Sequence, residues 1–526
     1  MASNKKSIIT VGVFDGGADD TLPLLNGHVR AIDCVSTAPN SEFMSHGTAV
    51  CGAILHGNLA GKTKSDILPI PCVSVESYRV LPIMNQNDFE LYEAVDAIEA
   101  TVSNRPDIKL YNLSFGPVGA IVDDSINRFT YVLDKLTYDV PNGESSPLFC
   151  VAVGNEGSLA DPLNRIQSPA DMVNGLGIGA YTYLINGTKT RAPYSCIGSG
   201  REGAKVKPDF LDFGGSIDRP FVVVGLQANS LSATAGTSFA SPLAVNKIGK
   251  LMAQSESVVP HLGRTLLIHH AAIDDSLSQE EQGYGYCNEE ADEILTCEDK
   301  KVTILYSGTL EPAETVHLPI FAPKINDVNG FVEITWTITT IVAPYANDPD
   351  AYTNNCIEDA FIPHNMTYNF YKKDKSGSII STERINLLKE DSAIKVKSLL
   401  EQGYERGGFP VSRSAKRSWN ESDLRASDLK WDTVIKKRHR MQGSSLLNPA
   451  LTLHAIDRNG FNAQHIQYHV AVSIDAPKYA GSLYERCVFP HEYATVPKSL
   501  AAGHAGHRNP RRRGAVSARL GEMAER

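Results

Sequence analysis

Up to about residue 295 the chain alternates short apolar runs with amphipathic stretches, and beyond about residue 298 the apolar period falls to two. LFCVAV (148–153) and KLYNLS (109–114) are apolar runs, each stopped by a turn signal. Leu91, Val95, Ile98 and Val102 recur at helical spacing, as do Ile126, Phe129, Val132, Leu133 and Leu136. Strand–helix–strand alternation predicts right-handed crossovers and a parallel sheet covered on both faces. Further on, VEITWTI (332–338) alternates strictly. LTLHAI (451–456) and IQYHVAVSI (466–474) flank Asp457-Arg458-Asn459-Gly460, which reads as a hairpin turn. The expected fold class is α/β with a three-layer parallel-sheet domain over 1–295. An all-β unit over 296–495, most simply a sandwich, follows it. Residues 496–526, with RNPRRRG and no apolar period, read as a disordered basic tail.

Composition changes this picture little. A chain of 526 residues holds two or three domains. A formal net charge of −10 argues against nucleic acid as a partner. No run reaches the roughly 18 apolar residues of a membrane span, so no membrane partner is expected. Lys5 and Lys6 precede too short an apolar run for a signal peptide, and the mature chain is expected to begin near Met1, in the cytoplasm. Nine scattered cysteines without a CxxC pair fit reduced thiols, and a structural zinc site is not expected. Residues 372–440, ending in KKRHR (436–440), are rich in Lys and Arg and read first as a solvated face.

The candidate chemistry lies at the ends of elements. In ITVGVFDGGADD (9–20) a β-branched run delivers Asp15 to the end of a strand. In SHGTAVCGAILHG (45–57) His46 opens a helix, and Gly47 admits close backbone approach. In ATAGTSFASPLAVNKIGKL (233–251) Ser238 stands where another helix begins, beside backbone N–H groups free to stabilise an oxyanion. A serine there is commonly just a cap, and it needs a base to act as a nucleophile.

Taken in order, VGVFDGG (11–17), HGTAVCG (46–52), NLSFGP (112–117), AVGNEGS (152–158) and GTSFASP (236–242) resemble the subtilase family of serine proteases. YSCIGSGREGAKVKPDF (194–210) and the glycines and tyrosine of 283–285 extend the resemblance to about residue 292. It implies that Asp15 orients His46, that His46 is the base, that Ser238 is the nucleophile and that Asn155 is an oxyanion donor. It further implies that Ser114, Phe115 and Gly116 pair with the substrate backbone, with Gly154 and Glu156 by the opposite pocket wall. Thr237 and Pro242 would be supporting positions. The implied function is a serine endopeptidase acting on protein or peptide substrates through an acyl-enzyme.

No cofactor is expected and no metal-ligand residue stands out, although subtilases often bind structural calcium through loops that one sequence does not reveal. Restraint of activity is expected from the C-terminal unit, from an oligomer, or from a regulatory partner such as an ATPase. The family usually has Ser or Thr after the catalytic aspartate. Gly16 stands there instead, which predicts a lost or replaced hydrogen bond and a looser Asp15. That departure keeps an alternative open: a conditional or inactive subtilase scaffold that binds a protein partner through its C-terminal β-domain. Cys51 reads as a small buried residue. Two decoys fail. The glycines of 57–63 are one residue too close for a phosphate loop, and Asp212-Phe213-Gly214 lacks the partner motifs of a kinase. A phosphohydrolase built on Asp15 is disfavoured because Gly17 stands where a second aspartate is needed.

Overall fold

The computed structural model describes residues 9–486, apart from 64, 142–143, 288, 323–329, 414–418 and 459–464, together with 494–495. The basic tail and residues 459–460 of the expected hairpin turn lie outside the described residues.

The first unit runs β1 (Ile9–Asp15), β2 (Val29–Asp33), α1 (Ser41–His56), β3 (Val73–Arg79), α2 (Tyr92–Asn104), β4 (Leu110–Leu113), α3 (Arg128–Tyr138) and β5 (Leu148–Ala152). It continues β6 (Leu176–Tyr183), β7 (Lys189–Arg191), β8 (Phe210–Phe213), β9 (Phe221–Val224), β10 (Leu231–Thr234), α4 (Thr237–Gln254), α5 (Pro260–His270), α6 (Gln279–Gln282) and α7 (Ala291–Ile294). One sheet has the order β2-β3-β1-β4-β5-β6-β7, with β8 also on β6. Every pairing in it is parallel except β6 with β7. Val11 and Val13 of β1 pack on one face with α1 and α4, while Phe14 packs on the other with α2 and α3. Apolar residues on both faces are what a doubly covered parallel strand requires.

The second unit runs β11 (Lys301–Leu310), β12 (Thr315–Pro319), β13 (Phe331–Ile341), β14 (Asn355–Ile362), β15 (Thr367–Lys373), β16 (Ile379–Asn386), α8 (Ser392–Glu401), β17 (Tyr404–Pro410) and α9 (Glu421–Ser427). Then come β18 (Val434–Gln442), β19 (Ala450–Asp457), β20 (Ile466–Asp475), α10 (Leu483–Arg486) and β21 (Ala494–Thr495). Sheets β18-β13-β20-β11-β21 and β12-β19-β14 carry the two sides of a shared apolar core. A third sheet, β16-β15-β17, stands apart with α8 and was not expected from the sequence.

The hairpin expectation is corrected. β19 and β20 lie in different sheets and do not pair with each other. The reason is burial. Tyr468, Val470, Val472 and Ile474 of β20 enter the sandwich core, while Ala471 joins the core of the first unit. A strand covered on both faces belongs at the centre of a sheet, between β11 and β13, rather than beside β19.

The two units share a buried polar interface. His261 of α5 stacks on His469, with ring centroids 6.0 Å apart. Thr265 Oγ1 lies 2.7 Å from Thr339 Oγ1, and His269 bridges Thr337 and Ser473 at 3.0 and 2.7 Å. Lys436 donates to the last carbonyls of α5, at Ile268 and Ala271, so part of KKRHR is docked rather than solvated. Asn174 and Val342 exchange two bonds, at 2.8 and 3.0 Å. Asn174 lies two residues before β6, and Ser146, which reaches Gln467, lies two before β5. The second unit therefore docks at the amino-terminal ends of the parallel strands, away from their carboxyl ends.

Deleting residues 296–526 uncovers α5 and removes Leu305, Val434 and Ala471 from the core of the first unit, exposing apolar surface at about 25 cal/mol per Å². The truncated chain is expected to show no cooperative thermal unfolding by near-ultraviolet circular dichroism. A cooperative transition near that of the full chain would contradict this.

Candidate active site

The site forms where three strands end. Asp15 is the last residue of β1, Ser114 follows β4, and Asn155 lies just past β5. The carboxyl ends of parallel strands are where such sheets place their ligands.

Two glycines set the first contact. A Cβ at Gly16 would lie 2.2 Å from Phe43 Cβ in α1, and one at Gly47 would lie 2.1 Å from the Gly17 carbonyl oxygen. The loop after β1 and helix α1 thus touch backbone to backbone. That contact brings His46 Nδ1 to 3.0 and 2.9 Å from the two oxygens of Asp15. The sequence placed His46 at the opening of its helix. α1 instead begins at Ser41, capped by Asn40, and His46 lies in its second turn. The reason is the cap: Asn40 Oδ1 accepts from the N–H groups of Glu42 and Phe43 and starts the helix earlier.

The expectation that Gly16 loosens Asp15 is also corrected. The Gly16 N–H donates to Asp15 Oδ1 at 2.7 Å, and Asp15 is only 2% exposed. That bond comes from the backbone and needs no hydroxyl side chain, and the missing side chain is what lets Phe43 approach.

Asp15 also fixes the ring. Nδ1 donates to the carboxylate, so the neutral imidazole carries its lone pair on Nε2. The Asp15 charge raises the His46 pKa above 6.5, against the opposing effect of burial.

Helix α4 supplies Ser238. Its cap residue is Gly236, at φ 156°, which has no side chain to cap it, and the Ser238 N–H is one of the first-turn amides that a helix leaves without an internal partner. The Asn155 amide is oriented unambiguously. Its oxygen accepts from Thr237 N at 2.9 Å and from Thr237 Oγ1 at 3.0 Å. Its NH2 is therefore turned away from Thr237 and free to donate. Ser238 Oγ makes one hydrogen bond, to the Ser114 carbonyl at 3.4 Å, and none to His46 among the described residues. Helices α1 and α4 meet here: the His46 ring lies 6.0 Å from that of Phe239, the residue after Ser238. Nucleophile–base bonds are often loose before substrate binds.

Residues missed in the sequence hold the serine in place. Asn112 Nδ2 donates to Ser114 Oγ at 3.0 Å, and Ser241 Oγ donates to Asn112 Oδ1 at 2.9 Å. Ser114 Oγ in turn donates to the Ser238 carbonyl at 3.1 Å. Asn112 and Ser241 lie inside the recognised segments, but a polar residue in an apolar strand gives no sign of its partner. Lys247 of α4 is buried against Asp212 at 2.9 Å, which gives the Asp-Phe-Gly decoy a structural role. Cys51 is fully buried among apolar neighbours.

The stretch 114–116 runs past the last pairing of β4, with Phe115 tilted on Phe129 at 5.9 Å. Gly154 lies on the facing stretch at φ 106°. Glu156 is not aimed freely at a pocket, because its carboxylate accepts from Asn155 N at 2.8 Å and Gln167 Nε2 at 2.7 Å. No group of three or more His, Cys, Asp or Glu suited to a metal occurs among the described residues. No described helix is long and apolar enough to cross a membrane.

A family model described as the subtilase family matches residues 6–285, more than half of the 526 residues. The chain belongs to that family, and it is a serine-type peptidase. No curated protein sequence gives a significant match. Among solved structures, a mutant of the protease domain of PatA is 20% identical, covering 55% of this chain and 95% of that one, with a TM-score of 0.39. A cold adapted subtilisin-like serine proteinase is 18% identical, covering 55% and 92%, with a TM-score of 0.38. The PatG macrocyclase domain is 17% identical, covering 53% and 88%, with a TM-score of 0.39. Scores this low carry no weight beyond the family assignment.

Two predictions follow from the geometry. Gly16→Ser drives its Cβ into Phe43 and should cost about 1–3 kcal/mol of stability. Denaturant unfolding checks this, and an unchanged midpoint would contradict it. The second concerns pH. A base must be neutral, so activity should fall as pH drops through the His46 pKa, which Asp15 holds above 6.5. The acid limb of kcat/KM should therefore lie above that value. Asp15→Asn should shift the limb downward and lower kcat by about 10⁴-fold.

Proposed function

We propose that this chain is a serine endopeptidase whose triad is Asp15, His46 and Ser238, with Asn155 and the Ser238 N–H as oxyanion donors. The observation that carries the reading is the contact of both Asp15 oxygens with His46 Nδ1, at 2.9 and 3.0 Å, together with Ser238 in the first turn of helix α4. His46 Nε2 removes the Ser238 proton as Oγ attacks the scissile carbonyl. Negative charge on the carbonyl oxygen is met by Asn155 Nδ2 and the Ser238 amide. The imidazolium, stabilised by Asp15, then protonates the leaving amine and releases the first product. Water repeats the sequence on the acyl-enzyme and frees Ser238. The substrates are protein or peptide chains bound in extended form along Ser114–Gly116 and Gly154–Glu156. No metal or cofactor takes part in this scheme.

A fluorophosphonate should label the wild-type chain at Ser238, and Ser238→Ala should abolish that labelling. Equal labelling of both would overturn the assignment. Asn155→Ala should keep the fold and lower kcat by about 10²–10³-fold, the magnitude established for an oxyanion-hole asparagine in a subtilisin. Intact labelling with no turnover of any unfolded protein would favour a binding scaffold instead.

A further inference from the structure

Segment 166–169 lies between the two stretches read as walls of the substrate groove, and the inference rests on that reading. The Ile166 carbonyl accepts from Ile121 N at 2.9 Å, and Gln167 N donates to the Val153 carbonyl at 3.1 Å. The Ser168 carbonyl packs on Gly116 so closely that a Cβ there would lie 2.1 Å from its oxygen. This segment therefore sets the spacing of the walls.

The segment is held by buried polar groups. Thr130 Oγ1 donates its single proton to Asp171 Oδ1 at 2.6 Å, so the contact at 2.9 Å between Thr130 and Ser168 has Ser168 as donor. The other Asp171 oxygen takes Arg201 Nε at 2.7 Å, and Arg201 Nη2 as well. Thr130, Asp171, Arg201 and Ser168 are all buried. From Arg201 the chain of contacts crosses into the second unit. The Tyr352 ring faces the Arg201 guanidinium at 5.0 Å, and the Tyr352 hydroxyl donates to Asp134 Oδ2 at 2.9 Å. Asp134 in turn accepts from the amides of Val173 and Asn174 at 3.1 and 2.7 Å. Tyr352 has no exposed surface.

We propose that Tyr352 is a positioning residue for peptide binding: through Arg201, Asp171, Thr130 and Ser168, the C-terminal unit holds the floor of the substrate groove. In a dry interior the ring covers the guanidinium and the carboxylate pairs it, with one further bond from Nη2 to the Ser125 carbonyl at 3.1 Å. Loss of the ring lets Arg201 draw away from Asp171, and Ser168 and the Gly116 wall lose their support. The effect falls on ligands that fill the groove. It does not fall on small reagents that need only Ser238 and His46.

The test uses the full chain, a fluorogenic peptide taken from a profiled cleavage site, and a small alkyl fluorophosphonate. Tyr352→Leu should raise KM for the peptide about three- to tenfold while leaving the labelling rate of Ser238 within about twofold. Tyr352→Phe, which keeps the ring and loses the bond to Asp134, should raise KM less. Thr265→Val removes an interface bond off this route and should leave KM unchanged. Ser168→Ala combined with Tyr352→Leu should raise KM no further than the larger single effect. An unchanged KM in Tyr352→Leu overturns the proposal, as does an equal rise in Thr265→Val. If Tyr352→Leu does not fold, Tyr352→Met, which fills more of the space without a ring face, takes its place, and an unchanged KM there overturns the proposal. Failure of the wild-type chain to label overturns the peptidase reading itself, and is distinct from normal labelling with unaltered KM.

Discussion

The backbone contact between the loop after β1 and helix α1 is the constraint on which the site depends. Two glycines make it, Gly16 against Phe43 and Gly47 against the Gly17 carbonyl. Without side chains at these positions, a helix carrying the base lies directly on the strand end carrying the acid. The contact of Asp15 with His46 follows from that geometry, as does the burial that keeps water from competing for the carboxylate. Helix α4 completes the site from the other side, tied down by the chain of bonds through Asn112, Ser114 and Ser241.

The C-terminal unit belongs to the same energetic whole. Ala471 of its central strand lies in the core of the first unit, and Val173 of the first lies in the core of the second. Arg264, fully buried in α5, donates to Thr433 across the boundary. Such an interface is costly to open, because apolar residues shared between the two cores would be exposed to water. The unit docks at the end of the sheet opposite the site. Its influence on the chemistry therefore has to travel through the first unit rather than cover the cleft.

Much of this was legible in the sequence. Apolar runs ending in Asp15, Ser114 and Asn155 gave strands with their functional residues at the carboxyl ends, because a buried parallel strand needs continuous apolar residues and a sharp stop. The glycine beside His46 signalled close approach. What was not legible came from partners distant in sequence. Gly16 looked like a lost or replaced hydrogen bond, because the close approach of Phe43, which needs a glycine there, is invisible to a motif. Glu156 could be placed by a pocket wall but not oriented, because Gln167 reaches it only after folding. The strands around Asp457 read as a hairpin, because alternation reports one buried face and β20 has two.

A crystal structure of the full chain with a peptide boronate or aldehyde would test the account most directly. The account predicts a covalent bond to Ser238 Oγ, with an adduct oxygen about 2.7–3.1 Å from both Asn155 Nδ2 and the Ser238 N–H. It also predicts the inhibitor backbone paired along 114–116. An adduct on another nucleophile, or an oxygen turned away from Asn155, would contradict it.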